Sequence, residues 1–140
     1  MHTQIFVNLP IKNMARSRAF FSALGYEFEP NFSNEQGACL ILGKNLHAML
    51  LVEPFFSSFV PHKTIGDASK TAEVLICLNC ASRAEVDALV AKAVAAGGSS
   101  PRPPQDHGFM YANGYEDLDG HIWELMHMDA SASANPDKDA

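Results

Sequence analysis

Apolar positions along the chain fall into short blocks whose spacing switches between two and three-to-four residues, the signature of strands interleaved with helices. Gln4-Ile5-Phe6-Val7-Asn8-Leu9 predicts a strand over 4–9, stopped by Pro10. Asn13 then caps a helix over 14–24, with Met14, Phe20, Phe21 and Leu24 on its apolar face and Gly25 just past its end. Strand-like stretches follow at 26–32, 37–43 and 46–52, and Gly43-Lys44-Asn45 turns the chain between the last two.

The second half repeats this order. A strand over 73–80 leads into Ser82-Arg83-Ala84-Glu85, a capping box that opens a helix running to about 96. Val86, Leu89, Val90, Ala93 and Val94 form its buried stripe, and Gly97-Gly98 ends it. Weaker strands are predicted near 99–102 and 108–116, then Asp119-Gly120 turns the chain into a strong final strand from His121 to Met128. The two helix caps, Asn13 and Ser82, stand 69 positions apart (82 − 13). A βαβββ order read twice is an internal duplication. The expected organisation is one α+β domain over 3–128, built from repeats at about 3–52 and 72–128. Residues 53–71 connect them, and 129–140, with nothing to bury, are expected to be a disordered tail. Phe55, Phe56 and Phe59 either pack the connection down or serve as a lid or dimer contact.

Composition narrows the function classes. With 140 residues, 47% apolar and 19% charged, the chain is a folded domain, able to bury roughly 68% of its unfolded surface. Ten Lys and Arg against sixteen Asp and Glu leave a net charge of −6, which argues against nucleic acid and against an anionic membrane surface. No apolar run approaches the ~18 residues of a transmembrane helix, and no leader pattern precedes the first strand, so a cytoplasmic setting is expected. Cys39, Cys77 and Cys80 suit free thiols. Cys77-Leu78-Asn79-Cys80 spells C-x-x-C, but the redox form of that motif opens a helix, and here it lies in a strand, where side chains three apart point to opposite faces. Structural burial of the pair is the expectation.

Alternation along the final strand puts His121, Trp123, Leu125 and His127 on one face and Ile122, Glu124, Met126 and Met128 on the other. Glu124 is the anomaly. A carboxylate among Ile and Met costs several kcal/mol unless it is paired, protonated or metal-bound. Tyr111 and Tyr115 flank Asn113 on one strand face, where Tyr111 either offers a hydroxyl to a ligand or packs.

Phe6-Val7-Asn8-Leu9-Pro10-Ile11-Lys12-Asn13, Ser17, Phe20-Phe21, Leu24-Gly25 and Glu116-Asp117-Leu118-Asp119-Gly120-His121-Ile122-Trp123-Glu124 together resemble the vicinal-oxygen-chelate superfamily of glyoxalases, bleomycin-resistance proteins and extradiol dioxygenases. The resemblance covers about residues 4–128 and is nearest to a branch labelled predicted lactoylglutathione lyase. It implies two βαβββ modules whose sheets form a cup, often completed by a homodimer. The family's last-strand metal ligand maps onto Glu124. Its first-strand positions map onto Phe6 and Leu75, and a fourth falls around Met49 to Leu51, none of them metal donors. One carboxylate is not a divalent-metal site, so a metal cofactor is disfavoured. Histidine ligation would need His47 and His107 to turn inward toward Glu124; His121 and His127 lie on the opposite face.

Two functions follow from the resemblance. One is a glyoxalase-like isomerase or lyase with Glu124 as catalytic base. The other is a non-catalytic small-molecule-binding protein of the bleomycin-resistance type. In either, Phe6, Asn8, Met49, Cys77, Tyr111 and Met126 are the candidate ligand-binding residues.

Overall fold

The computed structural model describes residues 1–129. The chain forms two compact units, Met1–Thr71 and the residues from Ala72 onward. In the first, β1 (Ile5–Ile11) leads through α1 (Met14–Ala23) into the meander β2 (Glu27–Glu29), β3 (Gly37–Gly43) and β4 (Leu46–Val52). The short helix α2 (Glu53–Phe59) follows. The second unit runs β5 (Leu75–Asn79), α3 (Arg83–Ala95), β6 (Gln105–Asp106), β7 (Met110–Glu116) and β8 (Ile122–Met128). Each unit is therefore a βαβββ module, and the fold is α+β. The sheet orders are β1-β4-β3-β2 and β5-β8-β7-β6, with the first strand of each module parallel to its last.

The same local devices start and stop both main helices. The Asn13 side chain accepts the Arg16 amide at 3.0 Å, and Ser82 Oγ accepts the Glu85 amide at 3.1 Å. Glu85 Oε2 in turn accepts the Ala81 amide at 3.0 Å, one residue before the expected partner. Both helices end in a left-handed glycine, Gly25 at φ +100° and Gly97 at φ +107°. The amides of Tyr26 and Gly98 reach back to the carbonyls of Phe21 and Ala93, the hydrogen bonding of a Schellman motif. Phe20, Phe21 and Leu24 bury α1 in its module, and Val86, Val90 and Ala93 bury α3. Each large apolar side chain so buried contributes about 1.5–3 kcal/mol.

Several sequence expectations are corrected. β1 runs through Pro10 instead of stopping there, because it is an edge strand that does not need the missing amide. The strand expected over 26–32 is only Glu27–Glu29. Pro30 then starts a 3-10 turn, and Glu29 caps it by accepting the Asn31 amide at 3.2 Å. The connection contains α2, with Pro54 in its first turn and Phe55 near Gly37 on β3; Phe59 remains 63% exposed. Near 99–102 only Ser99 pairs, in a bridge to Glu116, and the strand falls at Gln105–Asp106 instead. Pro101, Pro103 and Pro104 supply no amides for a ladder there.

Of the tail expected over 129–140, residues 130–140 lie outside the described range. Asp129 itself is held: its amide donates to Phe109 O at 3.1 Å and its carboxylate lies 3.4 Å from Arg83. Among the described residues no helix is long and apolar enough to cross a membrane.

Candidate ligand site on the second module

Asp117 sets the geometry of the second sheet. One carboxylate oxygen accepts the amides of Asp119 and His121, each at 3.0 Å, and the other accepts the Trp123 indole N–H at 3.0 Å. Gly120, at φ +93°, closes the turn. The Asp117 carboxyl is pushed up by burial; neighbouring His121 and the donated hydrogen bonds pull it the other way. This turn locks β8 against β7 with Trp123 and Leu125 buried toward α3 and Glu124 on the other face.

Glu124 is thereby centred in a cross-strand row, opposite Cys77 on β5 and Gly114 on β7. The glycine is required. A Cβ at position 114 would stand 3.0 Å from Trp123 O and 3.1 Å from Glu124 Oε2. Its absence leaves room for the carboxylate to lie along the sheet. Over the row passes the segment that follows α3. Ser99 pairs with Glu116, and Ser100 Oγ donates to Gly114 O at 2.7 Å. The chain then crosses as Pro101-Arg102-Pro103-Pro104 and joins β6, where Gln105 pairs with Ala112.

Between this crossing and the sheet lies a cavity of about 110 Å³. Its apolar lining includes Leu75, Ala112 and Ile122; Arg102, Gln105, Asn113 and the two carboxylates Glu116 and Glu124 are among its polar residues. Arg102 Nη1 stands 3.8 Å from Glu124 Oε1, with side chains 65% and 24% exposed respectively. The cavity thus holds a half-buried carboxylate beside a largely exposed guanidinium. Such a carboxylate can accept a proton or a hydrogen bond from a bound molecule.

The structure brings together Glu124, Cys77 and Met126 on one face of the second sheet. Tyr111 is not with them. Its hydroxyl donates to Asp87 at 2.6 Å, and its ring lies under the Arg83 guanidinium at 5.3 Å, on the α3 side. In the first module Asn8 and Met49 are register partners, and Phe6 stacks on His47 with ring centroids 4.6 Å apart. The expected burial of the C-x-x-C pair holds for Cys80 alone. Cys77 is exposed, as are Leu75 and Asn79 on the same face of the edge strand β5. Burial pushes the Cys80 thiol up to about 11, with Glu85 and Cys77 adding to it. Partial burial, then Glu124, raises that of Cys77. Both thiols are protonated at neutral pH, which is unsuited to thiolate chemistry.

Register shows which position on β5 stands next to Glu124. Leu75 pairs with Ile122, and it is Cys77 that stands beside Glu124. One thiol and one carboxylate, with a glycine and a guanidinium beside them, are too few donors for a divalent-cation site. Among the described residues no group of three or more His, Cys, Asp or Glu side chains is placed to hold a metal. The residue that sequence reasoning missed is Arg102. Its signal was a lone cation within a run of prolines.

Two βαβββ modules, each with its first strand parallel to its last, define the class: an α+β protein of the glyoxalase-like fold. The chain belongs to the Glyoxalase/Bleomycin resistance protein/Dioxygenase superfamily, whose family model matches residues 2–125. Among solved structures it resembles a hypothetical protein, SA1046, from S. aureus, at 26% identity and TM-score 0.77, over 91% of this chain and 95% of that one. A glyoxalase-related enzyme from Fulvimarina pelagi matches at 21% identity and TM-score 0.75, over 95% and 96% of the two chains. A glyoxalase/bleomycin resistance protein/dioxygenase family enzyme from Burkholderia phytofirmans PsJN matches at 15% and 0.73, over 89% and 97%. No curated protein matches the chain.

Proposed function

We propose that the cavity of the second module takes up a small organic molecule and that Glu124 acts there as the base in an isomerase- or lyase-type reaction on a carbonyl compound. The supporting observation is the placement of the Glu124 carboxylate, half-buried at the wall of the cavity in space that Gly114 leaves open. A positioned base accelerates proton transfer by about 10²–10⁴-fold. Glu124 needs no metal for this role. The test is exchange of the α-protons of small ketones and ketoacids in D₂O, followed by proton NMR. Wild type is expected to catalyse exchange, and Glu124→Gln to lose it.

A second reading is binding without turnover. It is supported by the groups nearest Glu124: burial makes the Cys77 thiol a weaker acid than usual and Arg102 keeps its proton, so neither readily returns a proton to a reacting molecule. Ligand-dependent protection of the cavity with no exchange in the wild type would select it. We also propose a homodimer, supported by the resemblance and by Phe59, left 63% exposed in the connection. A monomer at micromolar concentration in light scattering would overturn that.

A further inference from the structure

We propose that the molecule bound beside Glu124 is an acid whose carboxylate is held by Arg102; this rests on the reading that the cavity takes up a small molecule. Arg102 is the one cation lining the cavity among the described residues, facing the carboxylates of Glu124 and Glu116. Its single polar contact among them is the 3.8 Å approach to Glu124. That distance is beyond a hydrogen bond, so the planar fork of five donors is unspent. An ion pair this long and this exposed contributes almost nothing to stability. The fold does not need the guanidinium.

The backbone that carries it is nevertheless held firmly. Ser99 and Glu116 exchange backbone hydrogen bonds at 3.1 and 2.7 Å, and Ser100 is tied to Gly114 O. Three prolines flank Arg102 with fixed φ, and Gln105 enters the sheet directly after them. A preorganised backbone presenting an unspent guanidinium at a cavity mouth lowers the entropic cost of binding. By contrast Arg83, on the α3 side, is already engaged by Asp106 at 2.8 Å, Gly108 O at 2.9 Å and Asp129 at 3.4 Å.

A guanidinium engages a carboxylate through two parallel N–H bonds, and one edge of Arg102 can take the ligand while another faces Glu124. The ligand's carboxylate is then fixed at the rim and its adjoining carbon is directed toward Glu124. A volume of about 110 Å³ is well below the roughly 300–1,000 Å³ of a drug-sized pocket. It suits a short 2-oxo or 2-hydroxy acid, or the acid end of a longer molecule.

The experiment is a ¹H–¹⁵N NMR titration of the full chain with lactate, pyruvate, lactamide and inorganic phosphate. The Gly114 amide and the Arg102 side-chain N–H report on the site. Lactate and pyruvate are expected to shift both signals and to bind at least tenfold tighter than lactamide, and tighter than phosphate. Arg102→Gln should erase the preference for acid over amide, and Arg102→Lys should restore part of it. Glu124→Gln should tighten acid binding, because a like charge and a competitor for the guanidinium are removed. Equal binding of lactate and lactamide at Gly114 would overturn the inference and leave the cavity reading standing, as would a preference for phosphate. Perturbation by none of the probes would overturn the inference, while the exchange assay with Glu124→Gln judges the proposed chemistry separately.

Discussion

The two modules carry the same row of three facing positions and fill it differently. In the first, Asn8, Met49 and Cys39 lie side by side across β1, β4 and β3. In the second, Cys77, Glu124 and Gly114 lie across β5, β8 and β7. Helix caps, glycine stops and strand order are shared, so the backbone frame is common to both. The chemistry is not. Met49 and the fully buried Cys39 fill the first row with apolar volume, whereas the second pairs a carboxylate with a residue that has no side chain. The covering segments differ too: Phe55 approaches Gly37 in the first module, and a proline-bound arginine spans the second. A duplicated fold acquires a candidate site where one glycine creates room and one glutamate occupies it.

Giving the second row the chemistry of the first is the most severe way to break this contrast. Glu124→Met is expected to lower α-proton exchange by about 10²–10⁴-fold. Its stability should change by no more than about 1 kcal/mol, because the Arg102 partner is long-range and exposed. A much larger loss in urea denaturation would make Glu124 a structural partner instead of a base.

Asp117→Asn attacks the turn that sets the row. An amide can still accept from the Asp119 and His121 amides, but its nitrogen cannot accept from the Trp123 indole. The buried donor left unpaired should cost about 1–3 kcal/mol, read as a shift in the urea midpoint. Gly114→Ala sharpens the role of the empty position. Overpacking against Trp123 O and the Glu124 carboxylate should cost about 1–3 kcal/mol and displace the glutamate. Wild-type stability and unshifted Glu124 signals would refute the need for glycine there.

A smaller, pH-dependent effect separates Asp117 from the surface acids. Its folded pKa is raised above the ordinary 3.8, chiefly by burial. The stabilisation linked to its proton is therefore fully present below the unfolded pKa and is lost as pH rises through the folded value. The stability gap between wild type and Asp117→Asn should be widest in acid and narrow as pH rises, measured by urea melts from pH 4 to 7. Asp106 runs the other way. Hydrogen bonds from the Gly108 amide and Arg83 lower its pKa, so its contribution is present above 3.8 and is lost as pH falls through its folded value. Smallest of all, Arg102→Gln should leave stability within about 0.5 kcal/mol, which confines its effect to binding.

Sequence alone determined the elements whose causes are local. Asn13 and Ser82 announce helix starts, Gly25 and Gly97 announce stops, and period-two alternation in the final strand sets Glu124 apart from Trp123 and Leu125. Each signal is written within a few neighbouring residues, because caps, turns and side-chain periodicity are short-range effects. Tertiary structure decided what lies across from what. It put Cys77, not Leu75, beside Glu124, let Pro10 continue an edge strand, turned Tyr111 to Asp87, and laid Arg102 across the cavity mouth. These outcomes depend on strand register and on the path of a proline-rich crossing. Both are settled by long-range hydrogen-bond pairing and by the packing of one face against a helix, and a one-residue slip in register would have exchanged every side chain between the faces.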